Sequence, residues 1–219
     1  MSNTRLVLIR HGESRATVER FLGGSRTCTG LTDFGRLQVQ ALRDRLITGR
    51  DVAATVLMSS NFPRAVETAQ ILAPALGSMP IGIDAGWGEH DPGPDLDGMS
   101  YDAYVAKFGT PTWSDPDEVM FPGGETVGQF HTRVVRTLRE AVRRHEGETI
   151  VVACHGGVVD AVMRHTLQMH QTGKFELHTL NTSLTEIVHV EGSKWRLVRY
   201  NDAAHLTSLE SSLPDSSAK

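Results

Sequence analysis

Cysteine is nearly missing from this chain, with two residues, Cys28 and Cys154, in 219. Two thiols make no disulfide framework, and reduced thiols in a cytoplasmic setting are the simpler expectation. Long apolar runs are missing as well. No stretch approaches the ~18 residues of a membrane span. After "MSNTR" only four apolar residues come before charge intervenes, too few for a secretory leader. An excess of basic residues is also absent. The formal net charge is −4, so nothing suggests nucleic acid or a membrane surface as partner, and any anion site must be local. No internal repeat or dividing linker is evident. What is present, 39% hydrophobic and 22% charged residues, suits one large α/β domain. Residues 1–207 are expected to form that domain, with "SLESSLPDSSAK" (208–219) a Ser-rich, flexible tail.

The stretch "LVLIRHGES" (6–14) runs four apolar residues into Arg10 and His11 and then a glycine. An uninterrupted apolar run of this length predicts a strand buried on both faces. "AATVLMSS" (53–60), "PIGID" (80–84) and "ETIVVACHGG" (148–157) read as further strands, the last repeating the order apolar run, histidine, glycine. Helices are predicted from Thr32, over "FPRAVETAQILAPAL" with Pro63 in its first turn, over 125–146, and over "VVDAVMRHTLQM". "LTEIVHV", the turn "EGSK" and "WRLVRYN" predict a closing β-hairpin. The pattern predicts an α/β fold, a three-layer α/β/α sandwich on a mostly parallel sheet with an antiparallel edge hairpin.

Three strand–helix junctions carry suggestive chemistry: Arg10-His11-Gly12, Arg64 in the first turn after "SSNFP", and His155-Gly156-Gly157. In a parallel sheet such junctions share one edge, where ligands gather. Two guanidiniums and two imidazoles at one point make a pocket for a dianion such as phosphate. Taken singly, each residue has a blander reading as a polar strand end, a solvated helix arginine or an ordinary turn. Their common topological position favours the phosphate site.

"LIRHGES", "SSNFPRAVETA", the glutamate of "GWGEH", "PGGET" and "VVACHGG" resemble the successive motifs of the histidine phosphatase (phosphoglycerate mutase-like) superfamily. The resemblance runs from about residue 5 to "WRLVRYNDAAHL", and the paired "RHG" and "HG" are its specific part. It implies the same three-layer fold and no metal or other cofactor. It also implies that His11 is the nucleophile, that Arg10, Arg64 and His155 hold the phosphoryl oxygens, and that Glu89 gives a proton to the leaving oxygen. His90, Asp91, Asp95 and Asp97 are alternative acids, and His90 is also a candidate substrate contact. Ser14, Thr17, Arg20 and Gly156 join Arg10, Arg64 and His155 as candidate substrate-binding residues.

Thr17 stands where the family often has asparagine, and Arg26 where an acidic residue is common. Arg15, Arg20, Arg26 and His90 could line a rim suited to a second anionic group. The loop 109–124, with Trp113, could cover the pocket. Cys154 reads as a small core hydrophobe rather than a redox group.

The expected activity is hydrolysis of a small phosphorylated metabolite through a phosphohistidine, and a homodimer is compatible with the sequence. The nearest rival is a phosphoglycerate mutase. Mutases of this family are expected to be longer, with a basic insertion after the acid, where this chain has the short, acidic "HDPGPDLDGM". A metal-dependent phosphoesterase built on "EHD" lacks a second ligand cluster in the sequence. A non-catalytic phospho-ligand binding module is the non-enzyme alternative.

Overall fold

A computed structural model describes residues 3–50, 52–112, 114–190 and 194–210. Six strands form one sheet: β1 (Thr4–Arg10), β2 (Val56–Ser59), β3 (Ile81–Ile83), β4 (Thr149–Cys154), β5 (Leu184–Val190) and β6 (Lys194–Asp202). Their order is β3-β2-β4-β1-β5-β6. The first four run parallel, while β5 is antiparallel to both β1 and β6. The turn expected at "EGSK" falls largely at 191–193, outside the described residues.

The apolar runs of β1 and β4 are explained by strand alternation with both faces covered. Leu6, Leu8, Ile150, Val152 and Cys154 face one layer, where they meet α5 (Val127–Arg144) and α6 (Gly156–Thr166). Val7, Ile9, Val151 and Ala153 face the other, against α2 (Asp33–Gly49) and α3 (Pro63–Leu72). This is the three-layer arrangement the sequence predicts.

The helices begin where their caps allow. Thr32 accepts from the Gly35 N–H at 2.9 Å. Thr126 and Gln129 form a reciprocal box, each side chain bonded to the other's backbone N–H at 3.1 and 2.9 Å. Pro63 sits in the first turn of α3, where its missing N–H costs nothing.

Two short helices lie outside the predicted ones: α1 (Arg15–Val18) and α4 (Tyr101–Phe108). Tyr104 of α4 joins Leu96, Met120, Phe121 and Val127 in a small third core beneath the acidic loop. Residues Thr207–Glu210 form α7, and 211–219 lie outside the described residues.

Candidate active site

Strand register brings the two histidines together. Arg10 is paired with Cys154 across β1 and β4, so the next residue of each strand, His11 and His155, leaves the same edge side by side. The His11 N–H donates to the Cys154 carbonyl at 2.9 Å, and the two rings meet edge-on with centroids 5.1 Å apart. β2 lies on the far side of β4, and α3 starts four residues beyond it. Arg64 in the first turn of α3 therefore reaches back over the pair.

The Arg64 Nε donates to His11 Nε2 at 3.1 Å, and its Nη1 donates to the Gly23 carbonyl at 2.8 Å. Its guanidinium lies over the Phe62 ring, which also packs edge-on against His155. Arg10 donates to the Thr179 carbonyl, while its Nε is buried with no hydrogen-bond partner.

His11 Nδ1 lies 2.7 Å from the Gly12 carbonyl, an acceptor that requires the proton on Nδ1. Nε2 therefore carries the lone pair and faces the site. Burial first, and then the neighbouring Arg64, hold the His11 pKa well below its ordinary value, so the ring is neutral. His155 is held low by the same two causes in the same order. Its Nε2 lies 2.8 Å from the Ser60 hydroxyl, which already accepts from the Phe62 N–H at 3.1 Å. Donation by Ser60 to Nε2 leaves the ring proton on Nδ1, the buried nitrogen with no partner.

Glu89 approaches from the loop after β3. Its Oε2 accepts from the Gly157 N–H at 3.1 Å, and its Oε1 from the His90 N–H at 3.1 Å. A Cβ at Gly157 would stand 2.3 Å from Oε1, so only glycine lets the carboxylate lie against the start of α6. Gly12, behind His11, serves packing. A Cβ at Gly12 would meet the Gly35 carbonyl at 2.6 Å, so Gly12 permits α2 to close on the end of β1.

Arg133 of α5 fixes the acid loop from behind. It donates to the carbonyls of Gly86, Gly88 and Glu89 at 3.0, 3.1 and 3.2 Å, and grips Glu125 through two bonds of 2.6 and 2.7 Å. Trp87, fully buried in the core, anchors the same loop two residues ahead of Glu89.

Arg10, His11, Arg64, Glu89 and Gly157 line a cleft of about 740 Å³ together with Ser14, Thr17 and Gly156, while His155, fully buried, lies beside His11 and outside the lining. Ser14 and Thr17 hydroxyls lie 3.1 Å apart. His90 reaches the cleft as well, its ring 5.3 Å from both Phe121 and Phe130.

Arg20 does not reach the cleft. A left-handed backbone at φ 53° turns it outward to Asp102 at 3.0 Å, exposed on both sides. Arg15 and Arg26 are also absent from the lining. Arg26 pairs with Asp91 and Asp97, and the Asp97 carboxylate, 1% exposed, also takes the backbone N–H groups of Gly24 and Arg26. The acidic loop is thus tied to the segment it faces, and the second-anion rim expected from these arginines does not form. Among the described residues, no three His, Cys, Asp or Glu side chains group as a metal site.

The loop 109–124 contributes Thr112 and Phe121 to the cleft, and Trp113 lies outside the described residues. Sequence reasoning missed Ser60, Arg133, Thr179, Asn181 (whose amide donates to the His11 carbonyl at 2.9 Å) and the wall formed by 171–179. Arg133 looked like any arginine on the polar face of an amphipathic helix, and the wall has no periodic pattern. Cys28 and Cys154 are buried free thiols, and burial pushes the Cys154 thiol far up, so it is inert as a nucleophile.

A sequence model of the histidine phosphatase superfamily (branch 1) matches residues 6–203. The chain belongs to that superfamily. It is 34% identical over 191 residues to a 2,3-bisphosphoglycerate-dependent phosphoglycerate mutase of Brucella anthropi, covering 82% of this chain and 89% of the mutase. It is 28% identical over 220 residues to a metal-independent phosphoserine phosphatase of Arabidopsis thaliana, covering 94% and 84% of the two chains. The structure of a mycobacterial glucosyl-3-phosphoglycerate phosphatase superposes with a TM-score of 0.76 at 25% identity, covering 91% of this chain and 99% of that one. The Brucella coverage corrects one expectation: that mutase is no longer than this chain, so length does not separate mutases from phosphatases here.

Proposed function

We propose that the protein hydrolyses a small-molecule phosphomonoester through a phosphohistidine on His11, without a metal ion. The observation that carries this reading is the neutral His11 Nε2, bonded to the Arg64 guanidinium, its ring edge-on to His155, in a cleft also lined by Arg10 and Glu89. The His11 Nε2 lone pair attacks phosphorus in line, forming an N–P bond as the P–O bond to the alcohol breaks. When the phosphoryl group binds, the Arg64 Nε–H turns from His11 Nε2 to a phosphoryl oxygen, freeing the lone pair, and Arg10, Arg64 and His155 stabilise the spread charge. Glu89 delivers a proton to the departing alkoxide, a step typically worth ~10²–10⁴ in rate. Water then attacks phosphorus, the N–P bond breaks back to His11, and the Glu89 carboxylate takes the water's proton.

The named relatives include both phosphatases and mutases. Hydrolysis is favoured because Arg20 and Arg26, the cations that a bisphosphate or a carboxylate would use, are spent on Asp102, Asp91 and Asp97. The test follows 3-phosphoglycerate by phosphorus NMR in the presence of a bisphosphoglycerate primer and excess chelator. Inorganic phosphate should accumulate faster than 2-phosphoglycerate. Faster transfer makes the protein a mutase, and loss of activity with chelator makes it metal-dependent. The substrate is a small phosphorylated metabolite, and two buried free thiols support a reducing, cytoplasmic setting. No helix among the described residues is long and apolar enough to cross a membrane.

A further inference from the structure

Beyond the phosphoryl pocket, the cleft changes character. Its volume of about 740 Å³ lies in the range that encloses a drug-sized molecule, of which a phosphoryl group fills only a corner. Phe21, Leu22, Phe121, Phe130, Phe175 and Leu177 line the remainder. Phe175 is 61% exposed on the wall 171–179, a phenyl ring left open to solvent at the mouth of a cleft. A large apolar side chain so placed gains contact only when something fills the space beside it.

Behind the mouth, the titratable groups of this outer part are neutralised or neutral. Arg164 pairs with Asp160 at 2.7 Å, and its other donors bind the carbonyls of His170 and Phe175, holding the wall in place. Burial keeps His131 down at about 4 and lowers His90, so both rings are uncharged near neutrality. At the mouth, Glu176 lies 3.9 Å from His178, and Lys174 is exposed to solvent. Strong positive charge is concentrated at the Arg10 and Arg64 end.

We infer that the cleft selects phosphomonoesters of bulky, apolar, uncharged alcohols over those of small or anionic ones, an inference that rests on the phosphatase reading above. The dianion docks between Arg10 and Arg64, and the alcohol's apolar body lies along Phe121, Phe130 and Phe175. A carboxylate carried past the exposed Lys174 at the mouth would lose water and find the deeper cation of this part, Arg164, already paired with Asp160, a cost that apolar contact does not repay.

Kinetics with three esters of aliphatic alcohols, so that leaving-group basicity differs little, test this: 3-phenylpropyl phosphate, glycerol 1-phosphate and 3-phosphoglycerate. The phenylpropyl ester should show the largest kcat/KM, by about tenfold or more. Phe175→Ala, an exposed change that leaves the core intact, should lower that value about tenfold through KM. The loss on glycerol 1-phosphate, whose short alcohol does not extend to the wall, should be much smaller than the loss on the phenylpropyl ester. Calorimetry with the corresponding hydrolysis-resistant phosphonates reads the preference without turnover. Equal binding of the three phosphonates, or equal loss on all three esters in Phe175→Ala, overturns the selectivity. Preferential phenylpropyl phosphonate binding without hydrolysis of any ester keeps the selectivity and sinks the phosphatase reading.

Discussion

Gly157→Ala isolates the contribution of Glu89 with a single methyl group. The added Cβ would stand 2.3 Å from Glu89 Oε1, whereas ordinary contact begins beyond 3.4 Å, so the carboxylate must retreat by about 1 Å. Displacements of that size cost roughly 10²-fold in rate when the displaced group acts in the transition state. The fold should not suffer. Gly157 is the second residue of α6 with a helical backbone, and alanine there is favoured over glycine by up to ~1 kcal/mol. The expected result is therefore an unchanged or raised melting temperature with kcat/KM for an alkyl phosphate down by about 10²-fold.

An aryl ester separates the two half-reactions. The 4-nitrophenolate group leaves without a proton, so phosphorylation of His11 should remain fast, while water attack on the phosphohistidine, which needs Glu89 as base, should slow. Rapid-quench measurements should show a burst of nitrophenol close to one per active site, followed by slow turnover. Alkyl-ester kcat/KM within threefold of the wild type, with no burst on the aryl ester, would refute the role given to Glu89.

Three further expectations follow from particular contacts. Arg64→Lys replaces a planar fork that reaches both His11 Nε2 and the Gly23 carbonyl with a single ammonium, and kcat should fall about 10²–10³-fold while the protein stays folded. Arg133→Gln removes the clamp on the acid loop without touching the phosphoryl pocket. It should reduce kcat roughly 10- to 100-fold, with little change in inhibition by inorganic phosphate. His131 and His205 are both held at about 4, chiefly by burial, against an ordinary value of 6.5. The unfolded chain therefore takes up protons first as pH falls, so stability should hold above 6.5 and decline from there toward 4. Thermal unfolding against pH should show the decline, and His131→Gln should flatten it.

The layered fold was legible because β1 and β4 are apolar on both faces and cannot be exposed on either, and because Thr32, Pro63 and Thr126 mark helix starts by simple local chemistry. The pairing of His11 with His155 was legible for the same reason: both follow buried strands, and parallel strands deliver their ends to one edge. Arg20 and Arg26 were misjudged because a charge in a loop is as easily spent on a neighbouring carboxylate as on a ligand. Asp102, Asp91 and Asp97 lie some 65–82 residues away in the chain. The carbonyl contacts of Arg133 and the 171–179 wall escaped notice because backbone carbonyls and apolar surface leave no residue-type pattern.

The central claim, that His11 Nε2 carries the phosphoryl group between alcohol and water, is tested most directly by trapping it. Wild-type protein mixed with radiolabelled phosphoester and quenched in alkali should yield an acid-labile, base-stable phosphoprotein with the label on the residue 11 imidazole, and His11→Ala should yield none. A wild-type enzyme that turns over the ester with no label on the protein, or with label elsewhere, would contradict it.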